Sequence, residues 1–229
     1  MIKTMEVIEL TIDGLSVHGR KGMTILKAAQ ENGVEIPTLC YSPELTPIGA
    51  CRICVVEVDG SRTLVGSCHT PISQGMVVYT HSPKVIEVRR AIVELLLSSH
   101  PDSCLVCDKG NQCELHKIAA DLEIGIPRFR SKRRYYPIDD VSPYIVRDLS
   151  KCILCRKCIA ACNEIKKARV FSMAYRGFHS KVVVDLDHPL DKDICRDCDV
   201  CTSRCPTGAL SKPSKAMEGK KGESLIISG

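Results

Sequence analysis

The chain has 229 residues with fifteen cysteines, no tryptophan, three phenylalanines and six tyrosines, so thiols abound where the aromatic anchors of a large core are scarce. A formal charge of +5 raises the question of nucleic acid, but it counts every cysteine as neutral, and metal-bound thiolates would absorb the surplus. The best apolar stretch, 91–97, is far short of the roughly 18 residues of a membrane span and is broken by Glu94, which excludes an integral membrane protein.

Met1 to Val7 lacks the basic start, apolar stretch and cleavage site of a secretory signal, so a cytoplasmic location is expected. In that reducing compartment, closely spaced cysteines argue for metal over disulfides, and an odd count would leave one thiol over in a fully bridged scheme. Val7 to Ile12 alternates apolar and polar residues, Asp13-Gly14 is a hairpin turn signal, and Leu15 to His18 returns as a second strand. Thr24 caps a predicted helix through Ile25, Leu26, Ala28 and Ala29 that Gly33 ends. Cys40 follows on a loop, and Val55 to Val58, Thr63 to Val65 and Met76 to Thr80 supply further short strands, an order that suggests a β-grasp.

Ser82-Pro83 opens a predicted helix reaching about Ser99, with Val85, Ile86, Ala91, Ile92, Leu95 and Leu96 at near-helical spacing. A cysteine-dense loop, 100–113, and a short helix from Glu114 to about Leu122 come next. The basic segment 128–137 reads as a solvated connector, with a docking surface for a partner subunit as the second reading and nucleic-acid binding as a distant third. From about Val141 the chain carries two tight cysteine runs, and it ends in a Lys/Gly/Ser-rich tail. The expected divisions are 1–82, 83–140, 141–212 and the tail 213–229.

The cysteines fall into four groups. Cys152, Cys155, Cys158 and Cys162 share with Cys195, Cys198, Cys201 and Cys205 the spacing C-x2-C-x2-C-x3-C, in which three thiolates wrap one cubane and the fourth serves the other. One [4Fe–4S] cluster is therefore expected on Cys152, Cys155, Cys158 and Cys205, and a second on Cys195, Cys198, Cys201 and Cys162. Cys40, Cys51, Cys54 and Cys68 fit a [2Fe–2S] site, although four thiolates would also suit zinc and the first gap is longer than in plant-type ferredoxins. Cys104, Cys107 and Cys113 are one ligand short of a third [4Fe–4S] cluster. His100, on a bend before Pro101, is the expected fourth ligand and His116 the alternative; a neutral imidazole in place of a thiolate should raise that cluster's potential. The other histidines, His18, His69, His81, His179 and His188, read as ordinary surface or packed residues. Four clusters loaded this way bring the formal charge to about −2.

The runs 22–29, 36–41, 50–58, 100–109 and 113–115 resemble the N-terminal iron–sulfur region of the large iron–sulfur subunit of respiratory complex I. The length, and Ala174-Tyr175-Arg176-Gly177 between the two cysteine runs, are also similar to the small diaphorase subunits of NAD-coupled bidirectional and electron-bifurcating hydrogenases. The resemblance implies an α+β chain with an N-terminal β-grasp [2Fe–2S] ferredoxin-like domain, a small helical His/Cys3 [4Fe–4S] domain and a C-terminal two-[4Fe–4S] bacterial-ferredoxin-like domain. It implies a non-catalytic electron-transfer subunit of a hetero-oligomeric complex, relaying electrons between a flavin NAD(H)-binding subunit and a hydrogenase module. A formate dehydrogenase or transhydrogenase module is the alternative end of the same wire. In agreement, the sequence has no G-x-G-x-x-G or Walker loop and no cysteine left over for a catalytic metal. The rival from another class is a zinc-stabilised interaction module; a free-standing ferredoxin is a third reading.

Overall fold

The computed structural model describes residues 7–190 and 193–213. The tail beyond residue 213 and the first six residues lie outside them. The chain divides into two compact units, one running to Arg133 with Ile153–Arg156 added, the other comprising Arg134–Cys152 and the chain from Lys157 onward.

In the first unit, β1 (Val7–Ile12) and β2 (Leu15–Arg20) form the expected hairpin over Asp13-Gly14, with Ile8, Leu10, Ile12 and Val17 turned into the core. Helix α1 (Ile25–Glu31) starts where Thr24 Oγ1 accepts the Lys27 N–H at 3.3 Å, and it stops before Gly33, whose φ of +76° suits a residue without a side chain. Its buried face, Ile25, Leu26, Ala28 and Ala29, packs on a five-stranded sheet of order β2-β1-β5-β3-β4, where β3 is Val55–Val58, β4 Val65–Gly66 and β5 Val77–Tyr79. The pairing of β1 with β5 is parallel and the others antiparallel, the crossing that makes a β-grasp. Two strands are shorter than the alternation suggested. Thr80 leaves the ladder because its N–H is taken by Asp13 Oδ1 at 2.7 Å.

Helix α2 (Pro83–Ser98) has Ser82 as its cap and Pro83 in its first turn. Its buried positions differ from the expected apolar stripe: Val85, Arg89, Val93 and Glu94 are covered, whereas Leu95 is 54% exposed. The reason is polar. Arg89 and Glu94 find partners that compensate their burial, described below, so they take places that an apolar count assigns to leucine. Helix α3 (Glu114–Asp121) packs Leu115, Ile118 and Ala119 with Leu39, Ile53 and Val93 into a second core, which the partly buried Cys51 and Cys113 border.

The second unit has little regular structure. Strand β6 (Val146–Arg147) pairs with β9 (Leu210–Ser211), so the two ends of the unit meet, and β7 (Phe171–Ala174) pairs with β8 (Lys181–Val184). A single-turn helix, α4 (Lys157–Ala160), runs into a π-helical turn, Ala161–Ile165. Arg147 is almost fully buried and ties the connections: its Nε donates to Asp139 at 2.6 Å and its Nη2 to the His188 carbonyl at 3.1 Å, while Asp139 also accepts the Leu190 N–H. Cysteines are part of the core itself. Cys162, Cys195, Cys201 and Cys205 are buried among Ile145, Phe171, Val182, Val184 and Leu190.

Among the described residues no helix is long and apolar enough to cross a membrane.

Candidate metal centres

No disulfide joins any of the fifteen cysteines. Their loops carry a backbone signature instead. Arg52, Leu154, Arg156 and Asp197, none of them glycine, have φ between +53° and +63°, and each lies within a C-x2-C segment. Alternating right- and left-handed residues turn successive N–H groups to one side, making a concavity that favours anionic sulfur and offsets the cost of the conformation.

The first site is built where β3 and β4 begin and end. Cys54 directly precedes β3, Cys68 follows β4 by one residue, and the Ser67 N–H donates to the Cys54 carbonyl at 3.0 Å, locking the two turns together. The Cys51 N–H donates to Cys40 Sγ at 3.4 Å. The thiols work in two pairs. A hydrogen bond from Cys51 lowers the Cys40 pKa to about 6, and one from Cys68 lowers that of Cys54 to about 6, while the donating Cys51 and Cys68 are pushed up. Two pairs of sulfurs, each pair able to hold one iron, are what a two-iron cluster requires. His69 stands beside the site with Nδ1 3.4 Å from Cys68 Sγ, and the exposed Arg52 acts on Cys54 by charge. In the sequence His69 reads as an ordinary residue. Only its position directly after Cys68 could have marked it.

Arg89 is the larger surprise. It is 1% exposed, and from α2 it donates Nε to the Ile53 carbonyl at 3.0 Å and Nη2 to the Val55 carbonyl at 2.8 Å, the carbonyls of the residues before and after Cys54. Burial lowers its pKa to about 10, which leaves it a cation at neutral pH. Nothing in the local pattern around Arg89 sets it apart from Arg90.

At the second site, His100 is buried two residues beyond the end of α2, and its Nδ1 lies 3.2 Å from the Pro101 carbonyl. A carbonyl oxygen only accepts, so this contact puts the ring proton on Nδ1 and the lone pair on the buried Nε2. His116, the alternative ligand, has its side chain in solvent on α3. Cys113 occupies the N-cap position of α3; burial pushes its thiol pKa up, and the N–H groups of His116 and Leu115 offset that rise only in part. Cys104 and Cys107 act on it by charge, which places the three thiols in one neighbourhood. Cys104, Leu105 and Val106 are exposed.

In the second unit, Cys162 and three cysteines of the other run, Cys195, Cys198 and Cys201, line one cavity with Phe171 and Ile145. This is the cross-run grouping that the spacing suggests. Burial, and then the neighbouring Cys195, Cys198 and Cys162, push the Cys201 thiol up to about 12, and the Val170 N–H donates to Cys162 Sγ at 3.3 Å. Crowded thiols that cannot ionise together ask for a cation to neutralise them. In the other run, Cys152 and Cys158 border the second unit's core and Cys205 is buried in it, while Cys155 is buried in the Ile153–Arg156 segment of the first unit.

Among the described residues no three His, Cys, Asp or Glu side chains converge as ligands of one ion do.

Comparison with known proteins agrees segment by segment. Residues 5–83 match the family described as a 2Fe-2S iron-sulfur cluster binding domain, 89–128 the NADH-ubiquinone oxidoreductase-G iron-sulfur binding region, and 151–209 a 4Fe-4S dicluster domain. Over 211 residues, 90% of the chain, it is 41% identical to the NADP-reducing hydrogenase subunit HndD of Solidesulfovibrio fructosivorans, of which it covers 36%. It is 37% identical over 89% of its length to an NADH-quinone oxidoreductase subunit of Rhizobium meliloti, covering 24% of that protein. The chain thus spans a third or less of most of the curated relatives it matches. Among solved structures, a chain of an NAD+-reducing [NiFe]-hydrogenase in the H2-reduced state superimposes with a TM-score of 0.81 at 29% identity, over 91% of this chain and 88% of that one. With the α+β layout of a [2Fe–2S] β-grasp, an oxidoreductase-G iron–sulfur region and a dicluster ferredoxin-like region in hand, the chain is an iron–sulfur electron-transfer protein related to subunits of NAD(P)-reducing hydrogenases and to the iron–sulfur subunit of NADH–quinone oxidoreductase.

Proposed function

We propose that the chain carries four clusters and relays electrons between a flavin subunit that handles NAD(H) and a hydrogenase module. The observation that supports this most directly is the grouping of Cys162 with Cys195, Cys198 and Cys201, since a fourth ligand borrowed from a distant run is the habit of two-cluster ferredoxins. On this reading Cys40, Cys51, Cys54 and Cys68 hold a [2Fe–2S] cluster, and His100, Cys104, Cys107 and Cys113 a [4Fe–4S] cluster. Cys152, Cys155, Cys158 and Cys205 hold a second [4Fe–4S] cluster and Cys195, Cys198, Cys201 and Cys162 a third. The domains are 1–82, 83–140 and 141–212. Such clusters supply one-electron transfer without a change of protonation or of bonded partner.

The protein's own residues do the rest. The left-handed residues in the cysteine loops bend the backbone between ligands, the Pro101 carbonyl holds the His100 proton on Nδ1 so that Nε2 is left with its lone pair for the metal, and the first N–H groups of α3 partly offset the burial of Cys113. Leu39, Ile53 and Leu115 belong to one buried apolar cluster that both Cys51 and Cys113 border, a dry surrounding shared by two of the proposed sites. The hydrogenase partner is favoured by the match, over nearly the whole of both chains, to a chain of an NAD+-reducing [NiFe]-hydrogenase. A formate dehydrogenase or transhydrogenase module would use the same wire.

The test is anaerobic purification of the chain with its native partners. About 14 iron and 14 labile sulfide per chain, and electron paramagnetic resonance signals of one [2Fe–2S] and three [4Fe–4S] centres on reduction, are expected. Stoichiometric zinc in place of iron would refute the reading, and co-purification without a flavin subunit would refute the assigned partner.

A further inference from the structure

We infer that Arg89 is a buried counter-charge that holds up the reduction potential of the [2Fe–2S] site, a role that rests on the cluster assignment above. The guanidinium is 1% exposed and donates to two neutral carbonyls, those of Ile53 and Val55. Among the described residues it forms no ion pair. The carboxylate that acts on it, Asp13, is already bonded to the Thr80 N–H and hydroxyl. The charge it feels most is the Cys54 sulfur.

A buried cation without an anionic partner is costly, and a chain that keeps one must supply the anion. Here the supply is the cluster. Four thiolates around an oxidised two-iron core carry 2−, and uptake of one electron from the reductant makes this 3−. A fixed cation shielded from water lies under one of the four ligands and favours the more negative state. Arg52 offers the same charge from the solvent side, where screening weakens it. Arg89 stays a cation at neutral pH, where the relay works.

The geometry separates this site from its neighbour. About 13 Å of α2 lies between Arg89 and Ser98, the last helical residue before the His100 turn. The effect is therefore expected to be larger at the [2Fe–2S] cluster than at its neighbour.

The experiment is a redox titration of the full chain in its complex, followed by electron paramagnetic resonance, comparing wild type with Arg89→Gln, Arg89→Lys and Arg52→Gln. Arg89→Gln retains donors for the two carbonyls but no charge. It is expected to make the [2Fe–2S] site at least tenfold harder to reduce, about 59 mV more negative for one electron. Arg89→Lys should stay within threefold of wild type, Arg52→Gln should shift less than Arg89→Gln, and the [4Fe–4S] potentials should shift less than that of the [2Fe–2S] site. Loss of the [2Fe–2S] signal in Arg89→Gln with retention in Arg89→Lys would also support the inference. A [2Fe–2S] potential unchanged in Arg89→Gln, an equal shift in the Lys and Gln variants, or loss of the signal from both with Arg52→Gln intact would overturn it, since each of these means shape rather than charge. A wild-type chain with no [2Fe–2S] signal would instead refute the cluster assignment, before any variant is compared.

Discussion

On the proposed assignment, one residue, His100, sets a property of a whole site. It would supply a neutral donor where three cysteines supply thiolates, and its contact with the Pro101 carbonyl leaves Nε2 as the nitrogen with a lone pair. Replacing it by cysteine adds one negative charge to the cluster. His100→Cys is therefore expected to lower the potential of that [4Fe–4S] centre by at least tenfold in the reduction equilibrium while its iron content is retained, and His100→Ala to lose the centre; a redox titration with iron analysis checks both. The same reasoning explains what the sequence left out. Two histidines near three cysteines are visible in a string of letters, but that His116 points to solvent and His100 to the interior is decided by where α2 ends and α3 begins.

Helix α2 is the element on which most of the first unit's polar chemistry converges. Its start was legible because Ser82-Pro83 is a strong local signal, and its end because His100-Pro101 breaks the helical pattern. Its buried face was not legible, since Arg89 and Glu94 go inside for tertiary reasons. Glu94 receives Arg128 Nε and Nη2 at 2.9 and 2.6 Å, which brings the basic segment back onto the helix; Arg133 in turn bonds Asp102, and Arg134 lies over the Phe178 ring. The segment that charge alone made a candidate nucleic-acid surface thus has three of its cations engaged within the chain. The Arg128 guanidinium, through its hydrogen bonds, holds the Glu94 carboxyl below the usual carboxylate range. A group whose folded pKa is depressed contributes stability above its unfolded pKa of about 4.3, and the contribution is lost as pH falls through the folded value. Arg128→Met is accordingly expected to lower the melting temperature by the same amount at pH 8 and at pH 5.5, with the difference shrinking only below about pH 4.3. Thermal melts of the loaded chain across that window check it, and a difference that changes between pH 8 and pH 5.5 would assign the effect to another group.

For the molecule as a whole, the two units rest on different foundations. Among the described residues the first has a five-stranded sheet and three α-helices, with an apolar core in which Cys54 and Cys68 are two members among many. The second has two two-stranded ribbons and a one-turn helix, and four of its eleven buried core residues are cysteines. Ribbons of that size are marginal alone, and on the proposed cluster assignment metal–thiolate bonds would take the place of missing apolar burial. Removing the clusters with a chelator under anaerobic, reducing conditions is expected to abolish hydrogen-exchange protection at β6–β9 while β1, β2 and α1 retain theirs. Uniform loss across both units would show that the first also depends on metal.

Cysteine spacing determined by itself the number and kind of the proposed clusters and which run lends a ligand to which, because ligand sets are counted along the chain and the cubane-binding pattern repeats at a fixed interval. Alternation, the Asp13-Gly14 turn and the caps Thr24 and Ser82 were equally local, and with them the β-grasp order came through. Only the tertiary structure decided that Arg89 lies buried beneath Cys54, that His69 meets Cys68 and that Glu94 holds Arg128, because each joins residues through the fold's own contacts. Electrostatics at a buried site depends on distance and dielectric, and neither is written in the order of residues.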